Sequence, residues 1–264
     1  MKGKILITVL VMAALALIFS AGCRENKAVD YFPLGEGSFW EYNVLTIAEE
    51  EGGLTRMSIE IQKVIGKERV GNRENYVIDR FNIEGQSPSV GQYREYLVKT
   101  DKGVECTKRS WPMLEQMRMQ MYPGAKSDIV HTPAEERFRN NLKQGDTWKW
   151  EGFVTLVPVM EDEDKTPEGA TPQLKEVKQI KGSMEYKCLG YETIHVLNKD
   201  LNCLKLSLLG KSESGQEIES TIWYADGIGR VREEQKFYEG SKTILYLFEL
   251  VNYNITNRES FKSK

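Results

Sequence analysis

The chain has 264 residues, is 40% hydrophobic and 28% charged, and carries a formal net charge of −3. That length and apolar content are enough for a sizeable buried core. The mild acidity leaves no electrostatic footprint for nucleic acid, so nucleic acid is not an expected partner.

Residues 1–22 differ from everything after them. Lys2 and Lys4 precede an apolar run from Ile5 to Phe19, broken only by Thr8, and Ser20-Ala21-Gly22-Cys23 ends it. A basic start, a run of this length and small residues before a cleavage point are the layout of a secretory signal peptide. The ending Ala21-Gly22-Cys23 resembles the lipobox of bacterial lipoproteins, with Ser20 standing where that pattern usually has leucine. The resemblance implies cleavage after Gly22 and a diacylglyceryl group on Cys23. Two acyl chains anchor a protein stably where one does so only marginally. The alternative is an uncleaved anchor, for which Ile5 to Gly22 is at the short edge of a bilayer span. Residues 23–30 are then a lipidated tether, 31–258 a single domain, and 259–264 a polar tail. In Gram-negative sorting, Arg24 after the lipidated cysteine allows delivery to the outer membrane, facing the periplasm.

The domain opens with Tyr31-Phe32-Pro33-Leu34. In Leu34 to Tyr42 the pattern is L-x-x-G-x-x-W-x-aromatic, and it returns in Leu142 to Trp150. After Gly37, Trp40, Tyr42 and Val44 alternate with Glu41 and Asn43, the period of a half-buried strand. Met57, Ile59 and Ile61 alternate with Ser58, Glu60 and Gln62 in the same way, which would turn the apolar set inward. Thr100-Asp101-Lys102-Gly103 between two strand-like runs signals a hairpin. Met113, Met117, Met119 and Met121 could supply thioethers for Cu(I) or form a flexible apolar face. No His or Cys joins that cluster, which favours the apolar face, and no cofactor is expected. Thr132, Pro133 and Glu135 have the spacing of a capping box, so Pro133 to about Asn140 is expected to be a short helix or turn.

The plan then restarts. Besides the tryptophan motif, Ile65-Gly66 is echoed by Leu189-Gly190, Asn75-Tyr76 by Asn202-Cys203, Tyr96 by Tyr224, and Gly103-Val104 by Gly227-Ile228. The offset grows from 108 residues at the tryptophans to 124 at the glycines. The excess matches an acidic, Pro- and Gly-rich stretch from Glu161 to Pro172, read as a solvated loop and not as a calcium site. Two related halves, 31–130 and 142–258, follow from these echoes. Leu204, Leu206 and Leu208 alternate with Lys205 and Ser207, and Thr243 to Val251 is apolar throughout. Ten to twelve strands with short polar turns argue an antiparallel all-β fold.

Tyr31-Phe32-Pro33-Leu34 with Gly37, Trp40 and Tyr42, and Trp223-Tyr224-Ala225-Asp226-Gly227-Ile228-Gly229-Arg230-Val231, resemble the opening and closing motifs of a group of bacterial lipoproteins. That group looks distantly related to the LolA/LolB-type lipoprotein carriers. The resemblance implies a curved antiparallel sheet, a half-barrel with an apolar concave face, in an envelope protein of a group most of whose members have no known activity; the poor catalytic signals in the chain itself make an enzyme unexpected. The function expected is binding of a lipid or other hydrophobic ligand in a groove lined by Trp40, Tyr42, Trp148, Trp150 and Trp223. The alternative is ordinary core packing of those rings, with the domain acting through protein contacts. His131 and His195 carry no nucleophile motif around them. For the cysteines, export permits a Cys188–Cys203 disulfide, since the repeat sets them at the flanks of a hairpin; buried thiols are the other reading.

Overall fold

The structure, a computed structural model, describes residues 29–48, 54–84, 87–88, 93–110, 128–156, 178–213, 215–240 and 242–256. Cys23, Trp111, the methionine run, the acidic stretch from Glu161 and the polar tail lie outside the described residues. The compact unit discussed below runs from Asp30 to Glu259.

Thirteen strands follow one another: β1 (Phe39–Ala48), β2 (Leu54–Val70), β3 (Arg73–Glu84), β4 (Ser87–Pro88), β5 (Tyr93–Lys99), β6 (Gly103–Ser110), β7 (Asp128–Arg139), β8 (Thr147–Leu156), β9 (Lys178–Val196), β10 (Lys199–Ser212), β11 (Glu217–Ala225), β12 (Gly229–Glu239) and β13 (Lys242–Asn254). Each pairs antiparallel with its sequence neighbours, except that β5 bypasses the two-residue β4 to join β3. β13 returns to β1, so the described sheet is a ring of twelve strands with β4 attached to β3. The fold is all-β as expected, but it is a closed barrel and not an open half-barrel. Closure satisfies the backbone groups that a half-barrel would leave along two edges.

The expected helix or turn at Pro133 to Asn140 is instead the end of β7. His131, Glu135 and Phe138 are buried there, and their neighbours complete interior ion pairs. Tertiary burial therefore overrides the local capping signal. On β2 the alternation is right and the face is opposite: Glu60 and Gln62 are buried while Met57 is 70% exposed.

The two halves are visible as matched backbone devices. Ile65 bulges between Val64 and Gly66 on β2, and Leu189 bulges between Cys188 and Gly190 on β9. Gly66 and Gly190 both have positive φ, at 138° and 103°, which a side chain would strain. Gly37 donates to Val64 O at 2.9 Å, and Gly145 donates to Cys188 O at 2.8 Å. β7 runs on through Arg139, across residue 130. The pairing also moves two of the echoes by one residue: Tyr76 matches Leu204, and Tyr96 matches Trp223.

Cys106, Cys188 and Cys203 are free thiols, which corrects the disulfide expected between the last two. Cys188 pairs with Leu206, and Cys203 pairs with Glu192. Three positions separate Cys203 from Leu206, so the two sulfurs leave opposite faces of the sheet and cannot meet.

Candidate functional site

Residues 30–34 form a strap across one mouth of the barrel. Gly227 N donates to Asp30 O at 2.8 Å, and Lys99 Nζ reaches the Asp30 carboxylate at 3.0 Å from the far wall. Phe32 packs edge-on to Phe138 and against Tyr224, with ring centroids 5.1 and 5.2 Å away. These contacts touch strands on several sides of the ring, so the strap fills the opening.

Below it, alternation aims charged side chains inward from both halves. Glu95 on β5 meets Arg80 and Arg137 at 2.7 Å each and Arg109 at 3.3 Å. Glu135 lies 3.4 Å from Arg137 and 3.6 Å from Arg109, and accepts from the Tyr186 hydroxyl at 2.7 Å. Arg230 on β12 pairs with Glu60 at 2.7 Å and with Glu233, which also accepts from Ser220 Oγ at 2.6 Å. The belt holds four guanidiniums and four carboxylates, so its formal charge is zero. Neutrality matters because desolvating each ion costs several kcal/mol, about as much as good pairing returns.

Burial alone would raise the Glu95 pKa, but Arg137, Arg80 and Arg109 hold its carboxyl well below the usual range. Glu135 feels the same opposition between burial and the guanidiniums of Arg137 and Arg109 and falls to about 2. Burial pushes His131 down to about 4 and the Cys106 thiol up to about 11.

The five rings expected to line a groove are all buried, at 5% exposure or less. Trp40 and Tyr42 line the cavity under the strap, and Trp148, Trp150 and Trp223 do not. Trp40 Nε1 donates to Ile228 O, and Tyr42 OH to Arg230 O at 3.0 Å. Trp148 and Trp150 donate to Glu136 O and Pro133 O, each at 2.9 Å. Trp223 faces the other way: its indole donates to exposed Glu192 at 2.9 Å and Lys205 stacks on it. Each ring is thus a strand-to-strand tie in the wall of the barrel. Beside Trp40, Tyr42 and the strap, a cavity of about 70 Å³ remains, small against pockets of about 300 Å³ or more that hold organic ligands.

The outer face of β9 to β13 carries a wider hollow of about 510 Å³, with Leu209 and Leu245 between Glu185, Lys187, Glu219, Glu234 and Lys236. Both the belt and this hollow escape a reading by residue type. Their only trace in the sequence is charge at strand positions, and alternation does not say which face is inside.

No protein-family model matches the chain, and no curated protein matches it. Solved structures that resemble it include a candidate lipoprotein from Parabacteroides distasonis, at 15% identity and TM-score 0.39, covering 86% of this chain and 99% of that one. A candidate exported protein with a YmcC-like fold from Bacteroides fragilis has 14% identity and TM-score 0.39 over the same shares. The hypothetical lipoprotein YmcC from Escherichia coli has 9% identity and TM-score 0.32, covering 90% of this chain and 97% of that one. At these values the likeness carries no argument, and function rests on this chain's own residues.

Proposed function

We propose that the chain is a lipid-anchored protein of the bacterial envelope whose barrel is a filled scaffold acting through contacts on its outer surface. The filled interior carries this reading. The strap, the aromatic cluster and the neutral ion-pair belt occupy the space that an acyl chain would need. The anchor is supported by Lys2, Lys4, the apolar run and the Ala21-Gly22-Cys23 ending. Diacylglyceryl-Cys23 ties the domain to a membrane, and Arg24 after it allows delivery to the outer one, facing the periplasm. The outer hollow over β9 to β13, apolar at its floor and mixed in charge at its rim, suits a protein partner.

No reaction is part of this reading. With no metal bound, burial holds Cys106 as a thiol and His131 beside it as the neutral imidazole. His195, by contrast, is exposed and paired with Asp200 at 2.9 Å, without a nucleophile.

Expression in a Gram-negative host followed by membrane fractionation and mass analysis tests the anchor. Wild type is expected in the outer membrane with a diacylated Cys23 as its first residue, and Cys23→Ala in the soluble fraction. An intact leader overturns the anchor. Native mass spectrometry of the envelope-purified protein tests the filled barrel: a bare polypeptide mass is expected. A stoichiometric lipid lost on mild activation would return the function to ligand carriage.

A further inference from the structure

Cys106 on β6 and His131 and Glu135 on β7 bring a sulfur, an imidazole nitrogen and a carboxylate oxygen within 4.8 Å of one another. The His131 side chain is 2% exposed, and its Nδ1 lies 3.7 Å from Glu135 Oε2, beyond hydrogen-bond reach. Neither ring nitrogen has a hydrogen-bond partner. A buried imidazole left wholly unpaired is costly, and native proteins rarely keep one without a reason. Cys106 has only a long S–H contact, 3.6 Å to Lys108 O. Glu135, by contrast, is held in place by Tyr186 at 2.7 Å and Arg137 at 3.4 Å. Thiolate, imidazole and carboxylate are the donors from which transition-metal sites are built.

Charge selects among the metals that such donors take. The surrounding belt is neutral, and Arg109 and Arg137 stand beside Glu135. A zinc ion replacing the single thiol proton would add one uncompensated positive charge next to two guanidiniums. A monovalent ion replacing that proton changes nothing. The donor atoms lie within 4.8 Å of one another, a span that a linear sulfur–metal–nitrogen unit of about 4.3 Å can bridge. Soft thiolate and imidazole ligands suit copper(I).

We propose that Cys106 and His131, with Glu135 beside them, form a buried site for one copper(I) ion. On binding, the S–H bond of Cys106 breaks and its proton leaves to solvent as the sulfur–copper bond forms. His131 binds as the neutral imidazole, and no electron is transferred.

The test is an anaerobic titration of the full-length protein, purified from the envelope in detergent, with copper(I) buffered by a chromogenic chelator. Zinc(II) is titrated in parallel. One equivalent of copper(I) is expected, bound more tightly than zinc(II). Affinity should fall by about 100-fold or more in Cys106→Ser and His131→Gln, beyond the loss usual for an outer-shell change. Cys188→Ser and Cys203→Ser should bind as wild type does. Absence of stoichiometric copper, tighter zinc, or an unchanged Cys106→Ser overturns the site. Should the variants not fold, copper-edge X-ray absorption on wild type decides. One sulfur with one nitrogen in the first shell sustains the proposal, and a sulfur-only or sulfur-free shell removes it.

Discussion

Trp40 and Trp148 stand at matching places in the two halves of the barrel, as do Gly66 and Gly190. The interior positions near them do not match. Following the ladders from the two bulges, Glu60, Arg80 and Glu95 of the first half correspond to Met184, Leu208 and Ile222 of the second. Backbone devices admit few residue types, because only glycine takes the bulge φ at little cost. An interior position has more solutions, since an ion pair and an apolar contact can both fill it. What the first half adds in polarity it must neutralise: Arg80, Arg109 and Arg137 stand against Glu95, Glu135 and Glu60, with Glu95 touching all three.

The seams between the halves differ as well. β13 and β1 run together over ten residue pairs, whereas β7 and β8 pair over four, from Ile129–Leu156 to Thr132–Phe153. Beyond that point Pro133 has no N–H to offer, and the Trp150 and Trp148 indoles bridge the gap to β7 carbonyls.

The sharpest way to separate the halves is to change one interior residue in each. Glu95→Gln keeps the shape and leaves three guanidiniums short of a carboxylate, so a loss of about 3–5 kcal/mol is expected by urea denaturation. Ile222→Val at the matching position should cost about 0.5–1.5 kcal/mol. The pair also differs in pH response. Because its folded pKa is depressed, Glu95 contributes fully above the unfolded value of about 4.3. That contribution drains away as pH falls toward the folded value. Wild type and Ile222→Val should therefore lose stability together below that point, while Glu95→Gln shows a flatter slope. Equal slopes would mean that the belt does not hold Glu95 charged.

The seams are broken next. Trp150→Phe removes a tie that replaces missing ladder bonds, and about 2 kcal/mol of loss is expected from hydrogen bond and volume together. Amide exchange along β7 and β8 should quicken while β13 and β1 stay protected. Gly190→Ala should follow at about 1–2 kcal/mol, since φ is strained and the new Cβ would lie 3.1 Å from Gln144. Gly66→Ala should cost less, because its nearest neighbour, Glu36, is 3.8 Å away. The smallest effect belongs to Tyr42→Phe, which loses one hydrogen bond, from β1 to Arg230 O on β12, about 1 kcal/mol. A Tyr42→Phe loss as large as that of Trp150→Phe would show that the indole tie to β7 carries no more than an ordinary hydroxyl tie.

Strand content, antiparallel order and the two tryptophan-glycine frames were legible in the chain, because alternation, turn residues and glycine bulges act over a few neighbours. The inward set on β1 was read correctly from Trp40, Tyr42 and Val44. On β2 the same rule placed Met57 and Ile61 inside, where the barrel holds Glu60 and Gln62. Period two says which residues share a face and is silent on which face is inner. Single-residue bulges at Ile65 and Leu189 then shift the register, and with it the relation of Cys188 to Cys203. Closure through the β13–β1 pairing, the neutral belt and the meeting of Cys106 with His131 each join residues far apart in the chain. Only the folded ring brings them into contact, since burial and charge complementarity are properties of the assembled interior and of no local stretch.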